Sequence, residues 1–251
     1  MTRFGLTRFH ALAALAGAIT AFLVLSAPAA AQNLSLDFGD GSSTTGRVVQ
    51  FIALLTVLSL APSIIVMVTS FTRIVVVLAF LRSAIGTQGT PPNTVLVSLA
   101  LFLTAFVMAP TLERAYEQGI QPFMAEEIDE TEAFNRSMEP VREFMLKHVR
   151  EQDLRLFLDM AEIEAVETPE ATPLRALVPA FMISELRRAF EIGFLLFVPF
   201  VIIDMVVASV LMSMGMMMLP PIMISLPFKL IFFVLVDGWY LVAGSLVQSF
   251  G

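Results

Sequence analysis

Four long apolar stretches, three of them interrupted by proline, constrain the fold of this chain more than any other feature. They cover residues 48–68, 95–108, 192–212 and 222–247. A bilayer core of ~30 Å needs about 20 apolar residues in a helix, a length that all but the second stretch reach. The chain is 57% hydrophobic and only 15% charged, whereas soluble domains carry roughly 25% charged residues. We therefore predict an all-α membrane protein.

Proline and charge within these stretches argue against simple lipid-facing helices. The interruptions are Pro62, Pro199, Pro227, Asp204, Lys229 and Asp237. A charge at membrane depth costs at least ~2.5 kcal/mol, and a proline-broken backbone leaves carbonyls without donors, so both normally face protein or water. We predict that the three charged side chains pair across subunits and hold an assembly together. A proton relay is the alternative, but it needs a longer chain of titratable groups.

The polar middle of the chain differs from its flanks in charge. Residues 113–170 carry 16 acidic and 6 basic side chains, a net charge of −10 against −7 for the whole chain. This asymmetry predicts a separate acidic module. Within it we expect one amphipathic helix from about residue 139 to residue 165, with Pro140 in its first turn. Its apolar positions are Val141, Phe144, Met145, Val149, Leu154, Phe157, Leu158 and Ala161. That face packs on the rest of the module or, alternatively, contacts a neighbouring subunit.

The N-terminal residues have the pattern of a cleaved signal peptide. Arg3 and Arg8 precede an apolar run over residues 11–25, and three alanines end the segment before Gln32. A first membrane anchor is the alternative, but Pro28 and the alanine run disfavour it. A Gly/Ser/Asp-rich stretch follows and predicts a linker.

The distribution of charge also predicts an orientation in the membrane. If the mature chain starts outside the cytoplasm, the first span enters it, and Arg73 and Arg82 lie in the inner connection, as the positive-inside rule expects. The acidic residues 113–170 then lie outside, and the turn at residues 212–221 lies inside.

Catalytic and metal-binding patterns are lacking in the sequence. There is no cysteine, and the two histidines, His10 and His148, are far apart. No phosphate-binding loop, zinc-protease motif or nucleophile elbow occurs, and the carboxylates form a charge run rather than an isolated pair. We predict no enzymatic activity, no cofactor, no metal centre and no nucleic-acid partner.

A methionine-rich turn is the most unusual local feature. Residues 212–221 read MSMGMMMLPP, with five methionines in seven positions. Three interpretations are open: the thioethers fill irregular gaps in a core, they coordinate Cu(I), which soft sulfur ligands select, or they form a deformable apolar seal. In each case Gly215 allows the backbone to turn, and Pro220 and Pro221 stop the helix.

Three stretches, together about half of the chain, carry a resemblance to a known family. They read MVTSFTRIVVVLAFLRSAIGTQGTPPN (67–93), LALFLTAFVMAP (99–110), and a segment that runs from VPAFMISELRRAF to VDGWYLVAGSLVQSF (178–250). These stretches are similar to the FliP family of flagellar biosynthetic proteins, which shares its fold with the SctR proteins of injectisomes. The resemblance implies bent helical hairpins packed into a multi-subunit helical ring, with an acidic extracytoplasmic helical segment.

The resemblance further implies the core channel subunit of a flagellar type III protein export gate. The implied partners are other copies of the chain, FliQ- and FliR-like subunits, further export-apparatus and basal-body proteins, membrane lipid and unfolded exported polypeptides. The implied location is the bacterial inner membrane within the flagellar basal body, with a periplasmic segment. The implied site residues are Met214, Met216, Met217 and Met218 for the seal of the pore, Gly215, Pro220 and Pro221 for the turn, and Asp204, Lys229 and Asp237 as buried charges for assembly.

Five segments follow from these patterns. They are a cleaved signal peptide (1–31), a flexible linker (32–47), a first helical hairpin (48–110), an acidic extracytoplasmic helical module (111–177) and a second helical hairpin with the methionine-rich turn (178–251). Two other functions stay open as alternatives: a methionine-type copper transporter, and a structural scaffold whose pore belongs entirely to its partners.

Overall fold

The computed structural model describes residues 44–163, 168, 171–216 and 218–251. Every regular element within these residues is helical, which confirms the predicted all-α class. The predicted signal peptide (1–31), most of the predicted linker (32–47) and Met217 lie outside the described residues. The linker was predicted to extend too far, because a helix already begins at Thr44 and runs without a break into the first apolar stretch.

The helices are labelled here in chain order. They are α1 (Thr44–Val68), α2 (Phe71–Ile85), α3 (Asn93–Ala115), α4 (Gln121–Met124), α5 (Glu130–His148), α6 (Glu151–Met160), α7 (Leu174–Ser213), α8 (Pro221–Leu235) and α9 (Gly238–Gln248), and a π-helical turn (Tyr116–Ile120) joins α3 to α4. The first three apolar stretches of the sequence fall within α1, α3 and α7, and the fourth is divided between α8 and α9.

Two segments of the described chain, Asn93–Met124 and Leu174–Ser213, are long and apolar enough to cross a membrane. Two pairs could each form one bent span: Phe51–Leu60 with Pro62–Val68, bent by 40°, and Pro221–Leu235 with Gly238–Gln248, bent by 62°. The first bend occurs at a proline, which has no N–H for the helical hydrogen bond. These lengths confirm the predicted membrane-protein class.

The hydrophobic core lies in the unit Thr56–Gly251, and α2 runs through it. The core positions of α2 follow the spacing of a helix face and are Ile74, Val77, Leu78 and Leu81. Helix α2 packs along α7, where Gly193 makes room for Phe80: a Cβ on Gly193 would lie 2.6 Å from that ring. Arg73 and Arg82, which we expected in the connection between the first two spans, both belong to this packed helix.

The acidic module contains α5 and α6 in place of the single amphipathic helix that we predicted. The backbone is extended at Val149 and Arg150, which separates the two helices. Asp129 caps α5 by accepting a hydrogen bond from the amide of Glu132 (2.7 Å). Pro140 consequently lies in the interior of α5 and not in a first turn. The Asp-x-x-Glu pattern at 129–132 is the sequence signal for the true start of the helix.

The predicted apolar face of the module is nevertheless present. Phe144 and Met145 are buried, and Val141, Val149 and Leu154 are partly buried against the same core. The face continues across the break between α5 and α6, so that the module packs on the apolar helices of its own chain.

Candidate functional site: the methionine-rich turn

The methionine-rich turn joins α7 to α8. The chain reverses at Gly215, whose φ of 77° lies in the left-handed region that glycine adopts readily. Gly215 N–H donates to the carbonyl of Met212 and Met216 N–H donates to the carbonyl of Leu211, both at 3.0 Å. These two bonds form a Schellman motif, which satisfies carbonyls at the end of α7. Helix α8 then begins at Pro221, whose fixed φ suits a first helical turn.

The thioethers of the turn are exposed within the single chain. Met214 is 59% exposed, Met216 39% and Met218 98%. Met108 and Met145, in contrast, are at most 1% exposed and belong to the core. The described methionines of the turn therefore do not fill gaps in the core of their own chain, and their apolar surface is left for contacts outside it.

Asp204 and Lys229 meet within one chain, on the two helices that carry the turn. Lys229 Nζ lies 2.6 Å from Asp204 Oδ2 and also donates to the carbonyl of Ala84 (3.2 Å). Ser225 Oγ donates to Asp204 Oδ1 (2.5 Å). This cluster, which we call the hairpin clip, joins α7, α8 and the end of α2. The expected pairing of these two charges across subunits is corrected, because antiparallel packing of α7 and α8 brings them to the same level of one hairpin.

Asp237 lies apart from the hairpin clip, at the bend between α8 and α9. We expected Asp237 to be a buried charge, but it is exposed in the single chain, its φ is 50°, and it forms no ion pair within the described part of the chain. Its carbonyl accepts the amide N–H of Leu241 (3.1 Å), which starts α9. At the next position, Gly238, the ring of Phe233 leaves no room for a Cβ.

Sequence reasoning missed a second cluster of charges, which is almost completely buried. Arg73 is 1% and Glu185 0% exposed, and they form a two-pronged pair in which Nε donates to Oε2 (2.8 Å) and Nη2 to Oε1 (2.5 Å). Nη1 donates to both the carbonyl and the hydroxyl of Ser249 (2.9 Å each). The guanidinium also stacks 3.7 Å from the centre of the Phe250 ring. A lone arginine at helical spacing among apolar residues is the signal that could have identified this cluster.

His148 completes the packing around Phe250. Its Nδ1 lies 2.8 Å from the carbonyl oxygen of Phe144, and its Nε2 lies 3.4 Å from that of Phe250. Burial lowers the pKa of His148 below its ordinary value, the hydrogen bond with the Phe144 carbonyl opposes this, and the positive charge of Arg73 adds to the lowering. A neutral, buried imidazole in aromatic contact with Phe144 and Phe250 has a structural role.

Two apolar hollows lie along α7. One, of about 540 Å³, lies between α7 and α8 and is lined by residues that include Val206, Val210 and Phe228. The other, of about 430 Å³, includes Phe194 and Met205. Both are open, so that they offer concave apolar surface next to the helices that carry the turn.

The chemistry of the turn is that of thioethers, one hydroxyl and the backbone. Within the described residues, no three His, Cys, Asp or Glu side chains are grouped closely enough to hold a metal ion. Soft ligands for a metal at the turn itself are therefore limited to methionine sulfur.

Bent apolar helices, an internal charge pair in the α7–α8 hairpin and an exposed apolar turn define an all-α membrane protein with uncovered apolar faces. The model of the FliP family matches residues 54–246, and the chain belongs to that family. It is 62% identical to flagellar biosynthetic protein FliP of Caulobacter vibrioides over 234 residues, which are 93% of this chain and 88% of that protein. It is 57% identical to FliP of Bacillus subtilis over 202 residues (80% and 91%) and 53% identical to FliP of Rhizobium meliloti over 238 residues (92% and 97%). The resemblance found in the sequence is confirmed.

Proposed function

We propose that this chain is a core channel subunit of the flagellar type III protein export gate in the bacterial inner membrane. Its relatives are named as flagellar biosynthetic proteins, which supports a role in building the flagellum. The observation that carries the channel function is the exposed, methionine-rich turn at the tip of an apolar hairpin. In this proposal the chain assembles with copies of itself and with FliQ- and FliR-like subunits around a passage for unfolded flagellar proteins.

Exposed apolar side chains on the last three helices support an assembly of many subunits. At least two-thirds of the surface is exposed for Phe194, Leu195, Val234, Leu235 and Tyr240. Exposed apolar surface on this scale favours membrane or protein contacts. Lipid covers part of this surface in the proposed assembly, and neighbouring subunits cover the rest.

The turn acts as the seal of the passage. A methionine side chain has three rotatable bonds and a soft, polarisable sulfur, so that it adapts to irregular surfaces. Several copies of Met214, Met216, Met217 and Met218 around an axis exclude water when the passage is empty. They deform around a moving polypeptide without needing a particular sequence in it, because thioethers have no obligatory hydrogen bonds.

Alanine substitution at Met214, Met216, Met217 and Met218 tests the seal. We expect the export-gate complex to be recovered normally from detergent extracts, while cells that carry it become permeable to small ions, because the smaller side chains leave the axis open. The matched control replaces Met124 and Met160, which are exposed in the acidic module, and should not leak. If the fully assembled turn variant stays tight and still exports, the seal is formed elsewhere and this chain is a scaffold.

The same alanine variant distinguishes a channel seal from a copper transporter. Tight Cu(I) binding by the purified wild-type chain, lost in the turn variant, would favour a copper transporter. An ion leak in the turn variant without any Cu(I) binding by the wild type supports the channel.

The proposal places the acidic module (111–177) in the periplasm and the α2–α3 loop on the other side of the membrane. Because the chain has no cysteine, single cysteines can report on this directly. We expect a membrane-impermeant maleimide to label Glu127→Cys in cells with a permeabilised outer membrane, and to label Gln88→Cys only after the inner membrane is opened. The reverse pattern would show that the orientation is wrong.

A further inference from the structure

We propose that the methionine-rich turn is also a site of reversible oxidation, at which conversion of thioethers to sulfoxides opens the closed passage to ions. The proposal rests on the proposed function, since it needs the turn to close a channel. It assigns to the turn a modification site and an oxidant class, the peroxides.

The composition of the chain directs such oxidants to methionine. There are 15 methionines and no cysteine, so no thiol of this chain competes for the oxidant. In the reaction with hydrogen peroxide, the sulfur lone pair attacks one peroxide oxygen. The S–O bond forms as the O–O bond breaks, and the second oxygen leaves with the electron pair as hydroxide, which becomes water by taking up the proton that the first oxygen loses. Sulfur loses two electrons and the peroxide gains two, so the step needs no further reactant.

The turn combines exposure with clustering, whereas other exposed methionines, such as Met124 and Met160, lie singly in the sequence. Met214, Met216 and Met218 are all exposed, whereas Met108 and Met145 are sealed in the core. Oxidation requires contact between sulfur and a dissolved oxidant, because the attacking lone pair must reach the peroxide oxygen. The turn concentrates several accessible sulfurs within five residues, so that one exposure to peroxide can modify more than one of them.

The modification makes the apolar side chains of the seal polar. A sulfoxide is polar and chiral, and its oxygen is a hydrogen-bond acceptor, whereas the thioether is apolar. A ring of apolar side chains excludes water, but a ring that carries S=O groups binds it. Sulfoxide reductases, one for each epimer, restore the thioether, so that the change is reversible.

The experiment uses the complete export-gate complex, reconstituted in lipid vesicles and treated with hydrogen peroxide. Mass spectrometry of the peptides that contain residues 212–218 should show a gain of about 16 Da per sulfoxide. Ion flux through the vesicles should rise several-fold and return to its starting value after treatment with both classes of sulfoxide reductase.

Two variants make the result specific. In the first, Met212, Met214, Met216, Met217 and Met218 are all replaced by leucine, which keeps the turn apolar without sulfur. Whatever its starting ion flux, the flux through this variant should not rise with peroxide. In the second, Met124 and Met160 are replaced by leucine, and peroxide should still cause the full leak. A leucine turn variant that leaks with peroxide as the wild type does would overturn the proposal.

The remaining outcomes distinguish this inference from the proposed function. If the turn is oxidised without a leak while the alanine variant of the turn leaks, the seal stands and oxidative opening is refuted. If neither the oxidised wild type nor the alanine variant leaks, the seal itself is refuted. If Met124 and Met160 become oxidised while the turn stays reduced, the assembled complex shields the turn and the inference is wrong.

Discussion

The Glu185→Met variant should be strongly destabilised, because it leaves the guanidinium of Arg73 buried without its carboxylate. Both side chains are at most 1% exposed, and the two hydrogen bonds between them, at 2.8 and 2.5 Å, are lost. Breaking a buried ion pair from one side costs about 3–5 kcal/mol. In domains of 150–250 residues, each kcal/mol lowers the melting temperature by roughly 2–4 °C. We therefore expect the melting temperature to fall by roughly 6–20 °C.

The double variant Arg73→Met, Glu185→Met shows whether the buried charge is the cause. Apolar replacement of both members of a buried pair is often neutral or stabilising. The carbonyl and hydroxyl of Ser249 lose their donor, however, and an unsatisfied buried group costs about 1–3 kcal/mol. The double variant should accordingly melt above Glu185→Met and at or below the wild type.

Melting can be followed in detergent by the fluorescence of Trp239, the single tryptophan of the chain. The matched control is Arg155→Met, which removes an exposed pair with Glu151. Exposed pairs contribute about 0–1 kcal/mol, so the melting temperature of the control should change little. The reasoning is refuted if Glu185→Met melts within about 2 °C of the wild type, or if the double variant loses the sum of the two single losses.

Substitutions at three other positions give further tests. Gly119→Ala places a Cβ 2.7 Å from a backbone carbonyl of α5. This overpacking should cost about 1–3 kcal/mol and lower the melting temperature. The control Gly244→Ala, whose Cβ would lie in open space, should leave the melting temperature unchanged. His148→Phe should make the stability of the folded chain less sensitive to acid. The pKa of His148 is lowered in the folded chain, so the unfolded chain takes up the proton first as the pH falls. Wild-type stability therefore decreases as the pH drops below about 6.5. An equal loss of melting temperature between pH 7 and 5 in both proteins would contradict this. Asp204→Ala leaves Lys229 buried without its carboxylate partner and should reduce recovery of the assembled complex. Asp204→Ala combined with Lys229→Met should restore that recovery in part. Normal recovery of the single variant would disprove the role of the hairpin clip.

The class of the fold could be predicted because long apolar runs have few solutions in a membrane. A lipid-exposed backbone must satisfy its own hydrogen bonds, which makes each run a helix regardless of its neighbours. The methionine-rich turn could also be located, since Gly215 and the pair Pro220-Pro221 have local conformational effects that do not depend on tertiary packing. Features that depend only on local sequence could therefore be predicted.

Features that depend on contacts between residues distant in sequence could not be predicted. Arg73 and Glu185 are 112 positions apart, and an arginine near the end of an apolar stretch fits the positive-inside rule equally well. Only the packing of α2 along α7 shows that this residue is buried and paired. The break of the acidic module at Val149 was missed for a similar reason, because the apolar face on both sides of the break is continuous in sequence and packs on one core.

In the proposed assembly, the hairpin clip limits which side chains can hold copies of this chain together. In the single chain, Lys229 already has a carboxylate and a carbonyl as partners, and Asp204 already accepts from Lys229 and Ser225. A neighbouring subunit could use these charges only by breaking bonds that are already formed within the hairpin. The side chains that remain uncovered on α7 and α8, such as Phe194 and Val234, are apolar. Association of helices through apolar faces depends on close packing and shape, because lipid tails compete equally well for apolar surface. In the proposed assembly the charges would therefore act within each chain, by fixing the α7–α8 hairpin that presents the apolar faces and the turn.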